Sequence, residues 1–174
     1  MPRVQIVPVG KVDPALLDYM ALALRDGVGG PCTVSRKGID PREAFDPRRQ
    51  QFSSARILEL LSGLPKPEGA RTLGVADVDL YIPILTFVFG QAQLGGGAAV
   101  ISATRLRQEF YGLPEDEGLF YERCSKEGLH ELGHTLGLVH CPLYDCVMHY
   151  SNSIEDVDLK GASWCRECVA KKSA

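Results

Sequence analysis

No run of apolar residues in this 174-residue chain approaches the ~18 needed to cross a bilayer as a helix. The opening Met1-Pro2-Arg3-Val4-Gln5 also lacks the apolar stretch of a secretory leader. These two absences lead us to expect a cytoplasmic protein with no membrane role, whose thiols stay reduced. A basic excess is missing too. With 19 Lys and Arg against 22 Asp and Glu, the formal charge is −3, which argues against nucleic acid or an anionic membrane as partner. There is no internal repeat and no low-complexity tract. Gly27-Val28-Gly29-Gly30 lacks the third glycine of a dinucleotide loop, and Gly95-Gly96-Gly97 lacks the Lys-Ser/Thr of a phosphate loop. What is present is ordinary for a folded chain. At 45% hydrophobic and 24% charged residues, it has the makings of one domain over 1–174, which we expect to act as a monomer.

Along the chain, residues 3–9 read as a strand. Asp13-Pro14 supplies a cap and a first-turn proline for a helix running to about Arg25, with Gly27, Gly29 and Gly30 as its stop. Residues 37–50 read as a Pro- and Arg-rich loop, followed by an amphipathic helix over 52–62 closed by Gly63. Three short apolar runs, 72–78, 83–89 and 98–104, read as strands, with Asp77 and Asp79 as turn or surface carboxylates. A helical pattern over 117–136 follows, its apolar face supplied by Leu119, Phe120, Cys124, Leu129, Leu132 and Leu136. Beyond Gly137 the chain is irregular until a short helix over 165–172. This order predicts an α+β fold with a mixed sheet, a sheet-and-helix part over 1–137 and a smaller part over 138–174.

Histidine is scarce, four in the chain, and three of them fall in His130-Glu131-Leu132-Gly133-His134-Thr135-Leu136-Gly137-Leu138-Val139-His140. Positions i and i+4 of a helix are separated by about 400°, so His130 and His134 project from nearly one face and can share one zinc ion. Glu131 lies about 100° around the helix from His130, where it can reach a water at the metal without becoming a ligand. A straight helix would carry His140 well off that face. Gly137 allows the left-handed turn that brings it back. Three protein ligands leave a position open, which is the mark of a catalytic rather than a structural zinc. A bare His-Glu-x-x-His also arises by chance in helical, Glu-rich stretches, and it is Gly137 and His140 at this spacing that discriminate.

Four of the six cysteines form two close pairs, Cys141 with Cys146 and Cys165 with Cys168. Two such pairs, joined by a loop that closes the site, suit a tetrahedral four-thiolate zinc with no open position, hence a structural one. Cys32 and Cys124 read as reduced, buried cysteines.

Downstream of the third histidine comes Cys146-Val147-Met148-His149-Tyr150. Three histidines with a later methionine resemble the metzincin clan of zinc proteases. The likeness implies that Met148 forms an apolar floor beneath the metal rather than serving as core filler. In astacin-like metzincins a Met-His-Tyr sequence sets a tyrosine at or near the zinc. That implies an oxyanion-stabilising hydroxyl on Tyr150, with a place on the substrate-pocket wall as the open alternative. More narrowly, His-Glu-x-x-His-x-x-Gly-x-x-His-Cys-x₄-Cys-x-Met followed by Cys-x-x-Cys, over 130–168, resembles the archaemetzincin (archaelysin) family. That family is understood as zinc peptidases with a second, tetracysteine zinc. Segment 79–93 is similar to the family as well, while the loop 149–164 is one residue shorter than the family's pattern. The resemblance implies a metzincin-like zincin fold with a mixed twisted β-sheet, an active-site helix and a short zinc-stapled C-terminal subdomain.

The chemistry expected is peptide-bond hydrolysis on a peptide or protein substrate, with two Zn²⁺ ions, one catalytic and one structural, and Glu131 as general base. The run 98–104 is expected to be the sheet edge that receives an extended substrate, with 149–156 shaping the adjoining pocket. The alternative is a zinc-stabilised protein-binding module whose protease-like site is occluded or unused. The intact Glu131 argues against it, because a scaffold has no chemical need for that carboxylate.

Overall fold

The computed structural model describes residues 1–172. It opens with β1 (Val4–Val9), whose Val4, Ile6, Val7 and Val9 are all buried, as in a strand covered on both faces. Asp13 caps α1 (Pro14–Val28) by accepting the Ala15 N–H at 2.9 Å, and Pro14 takes a first-turn position that needs no N–H. The helix runs past Arg25 to Val28 and ends where Gly29 adopts a φ of 72°. Gly27 is therefore not a stop. A Cβ there would lie 3.0 Å from Leu129, so its bareness serves close packing between helices.

β2 (Cys32–Val34) follows, and the expected loop contains β3 (Phe45–Asp46), which pairs antiparallel with β4 (Gln51–Ser53). Because 51–53 is extended, α2 (Ser54–Ser62) starts later than the pattern suggested, with Ser53 Oγ accepting the Arg56 N–H. Next come β5 (Arg71–Ala76), β6 (Leu80–Tyr81), β7 (Gly90–Ala92) and β8 (Ala98–Ser102). Asp116 caps α3 (Glu117–Thr135), and α4 (Ile154–Leu159) and α5 (Arg166–Lys171) complete the described chain. No helix among the described residues is long and apolar enough to cross a membrane.

The main sheet has the order β2-β1-β5-β8-β7, parallel except for β7, which runs antiparallel to β8 with Gly90 opposite Ile101. A second sheet, β3-β4-β6, sits beside it. Alternate side chains feed two cores. Ile6, Leu73, Val75 and Ile101 pack with α1 and α3, while Val7, Val9 and Val100 pack with α2. The fold is thus α+β with mixed sheets, as expected.

Two strand readings need correction. The run 98–104 is not a sheet edge, because β8 lies between β5 and β7; all five of its residues are buried, as a central strand requires. The edge beside α3 is β7. The run 83–89 is not a strand but a turn-rich wall with a single bridge from Val88 to Leu80. Side chains satisfy part of its backbone, with Arg49 Nη2 donating to Leu85 O at 2.6 Å and Gln51 Nε2 to Thr86 O at 2.9 Å, while Val88 N–H donates to Leu80 O and Phe89 O accepts from Ser102 N–H. Asp79, instead of lying free at the surface, accepts two bonds from Arg105 at 2.7 and 2.8 Å, and Asp77 pairs with Arg107 at 2.7 Å. Cys124 is buried as expected, whereas Cys32 is only half-buried.

Candidate active site

The last turns of α3 run under β7, and Gly137, at a φ of 84°, ends the helix and reverses the chain. His140 is thereby carried back toward His130 and His134, so that one nitrogen from each ring lies within 4.8 Å of the others. His130 Nε2 and His134 Nε2 stand 3.1 Å apart. Nitrogens bound at about 2.0–2.1 Å around a tetrahedral ion stand roughly 3.3 Å apart, so the group fits a zinc ion.

The backs of two rings are fixed by backbone. His130 Nδ1 donates to Val147 O at 2.8 Å, and His134 Nδ1 donates to Leu138 O at 2.7 Å. Each bond sets the tautomer that leaves Nε2 free to ligate. Burial is the main reason all three imidazoles hold protons less tightly than usual, with the Lys160 ammonium adding to it at each ring. Neutral rings are what a metal needs.

Glu131 is buried beside this group, its carboxyl pushed well above the usual range by burial and by Glu127, with Lys160 partly offsetting. A Cβ on Gly90 would lie 2.7 Å from both Glu131 Cγ and Oε1. The bare backbone of β7 therefore forms a cradle for this carboxylate. Below α3, Met148 is fully buried against Gly133, where any added side chain would run into Met148 Sδ and Trp164 Nε1. Tyr150 stands at the cleft wall with its ring 4.9 Å from that of His140. This position suits either of the two roles considered for it.

Above the histidines lies a cleft of about 570 Å³, between 82–94 on one side and Val139 to Asn152 on the other. Its floor includes Glu127, which forms an ion pair with Lys160 at 2.7 Å; both side chains are buried, and Lys160 Nζ also lies 3.4 Å from His130 Nδ1. Arg123 binds Asp158 through two bonds of 2.7 Å, and Lys126 Nζ donates to Val157 O and Asp158 O. These contacts fasten the end of α4, and with it the 150–152 wall, to α3. Neither this seam nor Gly90 is evident from apolar patterning and motif spacing alone. The signal available was the spacing of Arg123, Lys126, Glu127 and His130, three and four apart on a helix otherwise read for its apolar face.

The other cysteines converge as their spacing predicted. Cys141, Cys146, Cys165 and Cys168 bring their sulfurs within 4.8 Å of one another, with Cys141–Cys165 at 3.9 Å and Cys146–Cys168 at 3.7 Å. Sulfurs about 2.3 Å from a tetrahedral ion stand roughly 3.8 Å apart, so the cluster fits zinc; a disulfide would need about 2.05 Å. Burial raises the Cys146 and Cys168 thiols, while the backbone N–H of Cys168 lowers Cys165 to about 7. Four thiolates gathered this closely would need a divalent cation to offset their charge. The two groups are joined by backbone. Cys141 follows His140, and Cys146 precedes the Val147 whose carbonyl holds His130.

A model of peptidase family M54 matches residues 62–173. The archaemetzincin of Methanocaldococcus jannaschii is 44% identical over 169 residues, spanning 97% of this chain and 92% of that protein. Among solved structures, a zinc-dependent peptidase from Methanocorpusculum labreanum matches with a TM-score of 0.89 at 30% identity, over 97% of this chain and 98% of that one. The archaemetzincin of Archaeoglobus fulgidus, complexed with malonate, matches at 0.84 and 37% identity, over 97% and 99%.

Proposed function

The chain belongs to peptidase family M54, the archaemetzincins, and is a zinc metallopeptidase; from that premise we propose that Glu131 is its general base and that His130, His134 and His140 hold the catalytic zinc. The observation that carries this reading is the convergence of the three imidazoles and the cradled Glu131 carboxylate on the floor of one cleft. Family membership does not favour the alternative of a binding module with an unused site.

When bound, zinc supplies Lewis acidity, acidifying water and polarising the scissile carbonyl. The protein's own groups do the rest. Val147 O and Leu138 O keep His130 and His134 in the ligating tautomer. Glu131 takes the proton of the attacking water and returns it to the leaving amine nitrogen; a carboxyl whose proton affinity burial has raised is suited to both transfers. The outer edge of β7 receives the extended substrate by strand addition, the role expected of 98–104. Tyr150 either steadies the oxyanion or lines the pocket, and Met148 forms the apolar floor. The four cysteines hold a second, structural zinc that staples 138–174 to α3, within a single domain over 1–174. We read the protein as a cytoplasmic monomer acting on peptides or proteins.

Chelation provides the primary test. Treating the protein with a zinc chelator should abolish cleavage of a quenched fluorescent peptide, and added zinc should restore it; two equivalents of zinc should accompany full recovery. Cleavage that persists without metal would contradict the assignment. The cradle supplies a second test. Gly90→Ala forces the Glu131 side chain aside, and displacement of a reacting group by about 1 Å can cost about a hundredfold in turnover. We expect that loss with zinc content unchanged, as measured by steady-state kinetics and metal analysis on the same sample.

A further inference from the structure

The buried pair of Glu127 and Lys160 takes no part in the hydrolysis as proposed, yet burying it is costly. The two side chains are 4% and 0% exposed, with Glu127 Oε1 2.7 Å from Lys160 Nζ. Taking two ions out of water often costs as much as their attraction returns, so stability alone is a poor reason for the pair. Fastening is a poor reason as well. The end of α4 is already tied to α3 by the two Arg123–Asp158 bonds and by Lys126 Nζ on Val157 O and Asp158 O.

The position of Glu127 on α3 supplies a better one. Glu127-Gly128-Leu129-His130 has the Glu-x-x-His spacing with which helix bundles hold metal ions. The seven residues from Glu127 to His134 turn the helix by about 700°, within about 20° of two full turns. Glu127 thus lies on the metal-binding face, lining the same cleft one turn before His130. A carboxylate so spaced can become a fourth protein ligand and close the position that a catalytic zinc keeps for water. In the structure it is drawn elsewhere. Lys160 Nζ lies 3.4 Å from His130 Nδ1, the nitrogen that faces Val147 O rather than the other imidazoles. The ammonium therefore draws the Glu127 carboxylate toward the back of the His130 ring, and the side chains that converge within 4.8 Å are the three imidazoles without it.

We propose that Lys160 is a positioning residue, which holds the Glu127 carboxylate off the three histidines and so keeps the metal's open position for water. This rests on the reading of His130, His134 and His140 as ligands of the catalytic zinc. The test compares Lys160→Met, Glu127→Gln and the double variant. Zinc affinity is measured by chelator competition, and kcat and KM on a fluorescent peptide. Lys160→Met frees the carboxylate to reach the metal. Zinc at the histidines should then be held about tenfold or more tightly, and kcat should fall by a similar factor, the scale on which groups behind a ligand act. Adding Glu127→Gln takes the intruding carboxylate away, so the double variant should lose the extra affinity and recover most of the turnover. A pair that only braced the fold would lower turnover alike in both single variants and the double, with zinc held no more tightly. That pattern, or unchanged zinc affinity in Lys160→Met, overturns the inference. Should thermal unfolding show that Lys160→Met does not fold, Lys160→Gln, polar but uncharged, is judged by the same outcomes. Zinc-dependent turnover by the unaltered protein tests the peptidase reading alone. If it is absent while the affinity pattern holds, the hydrolytic role falls and the role of Lys160 stands.

Discussion

Glu131→Gln is expected to lower peptide hydrolysis by about 10²–10⁴-fold, the usual worth of a positioned general base, while both metal groups stay filled. The amide matches the carboxylate in volume, so it should rest on Gly90 as glutamate does, without repacking the cleft. It cannot accept the proton of the attacking water, which isolates that one function. Stability should hold or rise. Burial has pushed the native carboxyl well above its ordinary value, so its ionised form is unfavourable where it lies, and the neutral amide removes that cost. Kinetics, metal analysis and thermal unfolding on one preparation decide the matter. Activity within tenfold of the unaltered protein would assign the base elsewhere.

Cys146→Ser should have the largest effect on the fold. The four sulfurs lie within 4.8 Å of one another, two of the pairs at 3.7 and 3.9 Å, as a tetrahedral ion would require, and structural zinc in small domains contributes on the order of 10 kcal/mol of folding free energy. Even partial loss should lower the melting temperature by roughly 10–15 °C, taking 2–4 °C per kcal/mol for a chain of this size. The consequence should reach the histidines too. Val147, the next residue, offers the carbonyl that orients His130, and the Cys141 N–H is bound to Met148 O at 3.0 Å. The variant should therefore bind its first zinc less tightly and cleave more slowly. Cys32→Ser is the control, because that half-buried thiol stands outside the cluster and its loss should be nearly silent. Two zinc equivalents at an unchanged melting temperature in Cys146→Ser would remove the structural assignment.

The parts of this site legible in the amino-acid order are those set by local spacing. His130 and His134 share a helix face by periodicity, Gly137 must turn the chain for His140 to return, and each cysteine pair is close along the chain. The parts that escaped depend on pairings between distant segments. Gly90 meets Glu131 only because β7 is the edge strand beside α3, and a glycine after an apolar run carries no mark of that. Lys160 reaches Glu127 across 33 residues of chain, and each alone looks like a solvated surface charge. The run 83–89 shows the limit of apolar composition, since short apolar runs suit a cleft wall as well as a strand. The central place of β8 was closer to hand. Five consecutive apolar or small residues are unusual for an exposed edge and suit a strand in the interior of a sheet.

The backbone link between the two cysteine pairs and the histidines bears on how the protein comes into being. Synthesis proceeds from the amino end, so the imidazoles and Glu131 are made before Cys165 and Cys168. Until the second pair appears, the sulfur group that Cys141 and Cys146 begin is incomplete, and so is the support of Val147, whose N–H donates to Ser163 O. A nascent chain would thus carry the histidines and Glu131 proposed for catalysis in an unassembled state, and the fold itself would delay peptidase activity until Cys168 has been made.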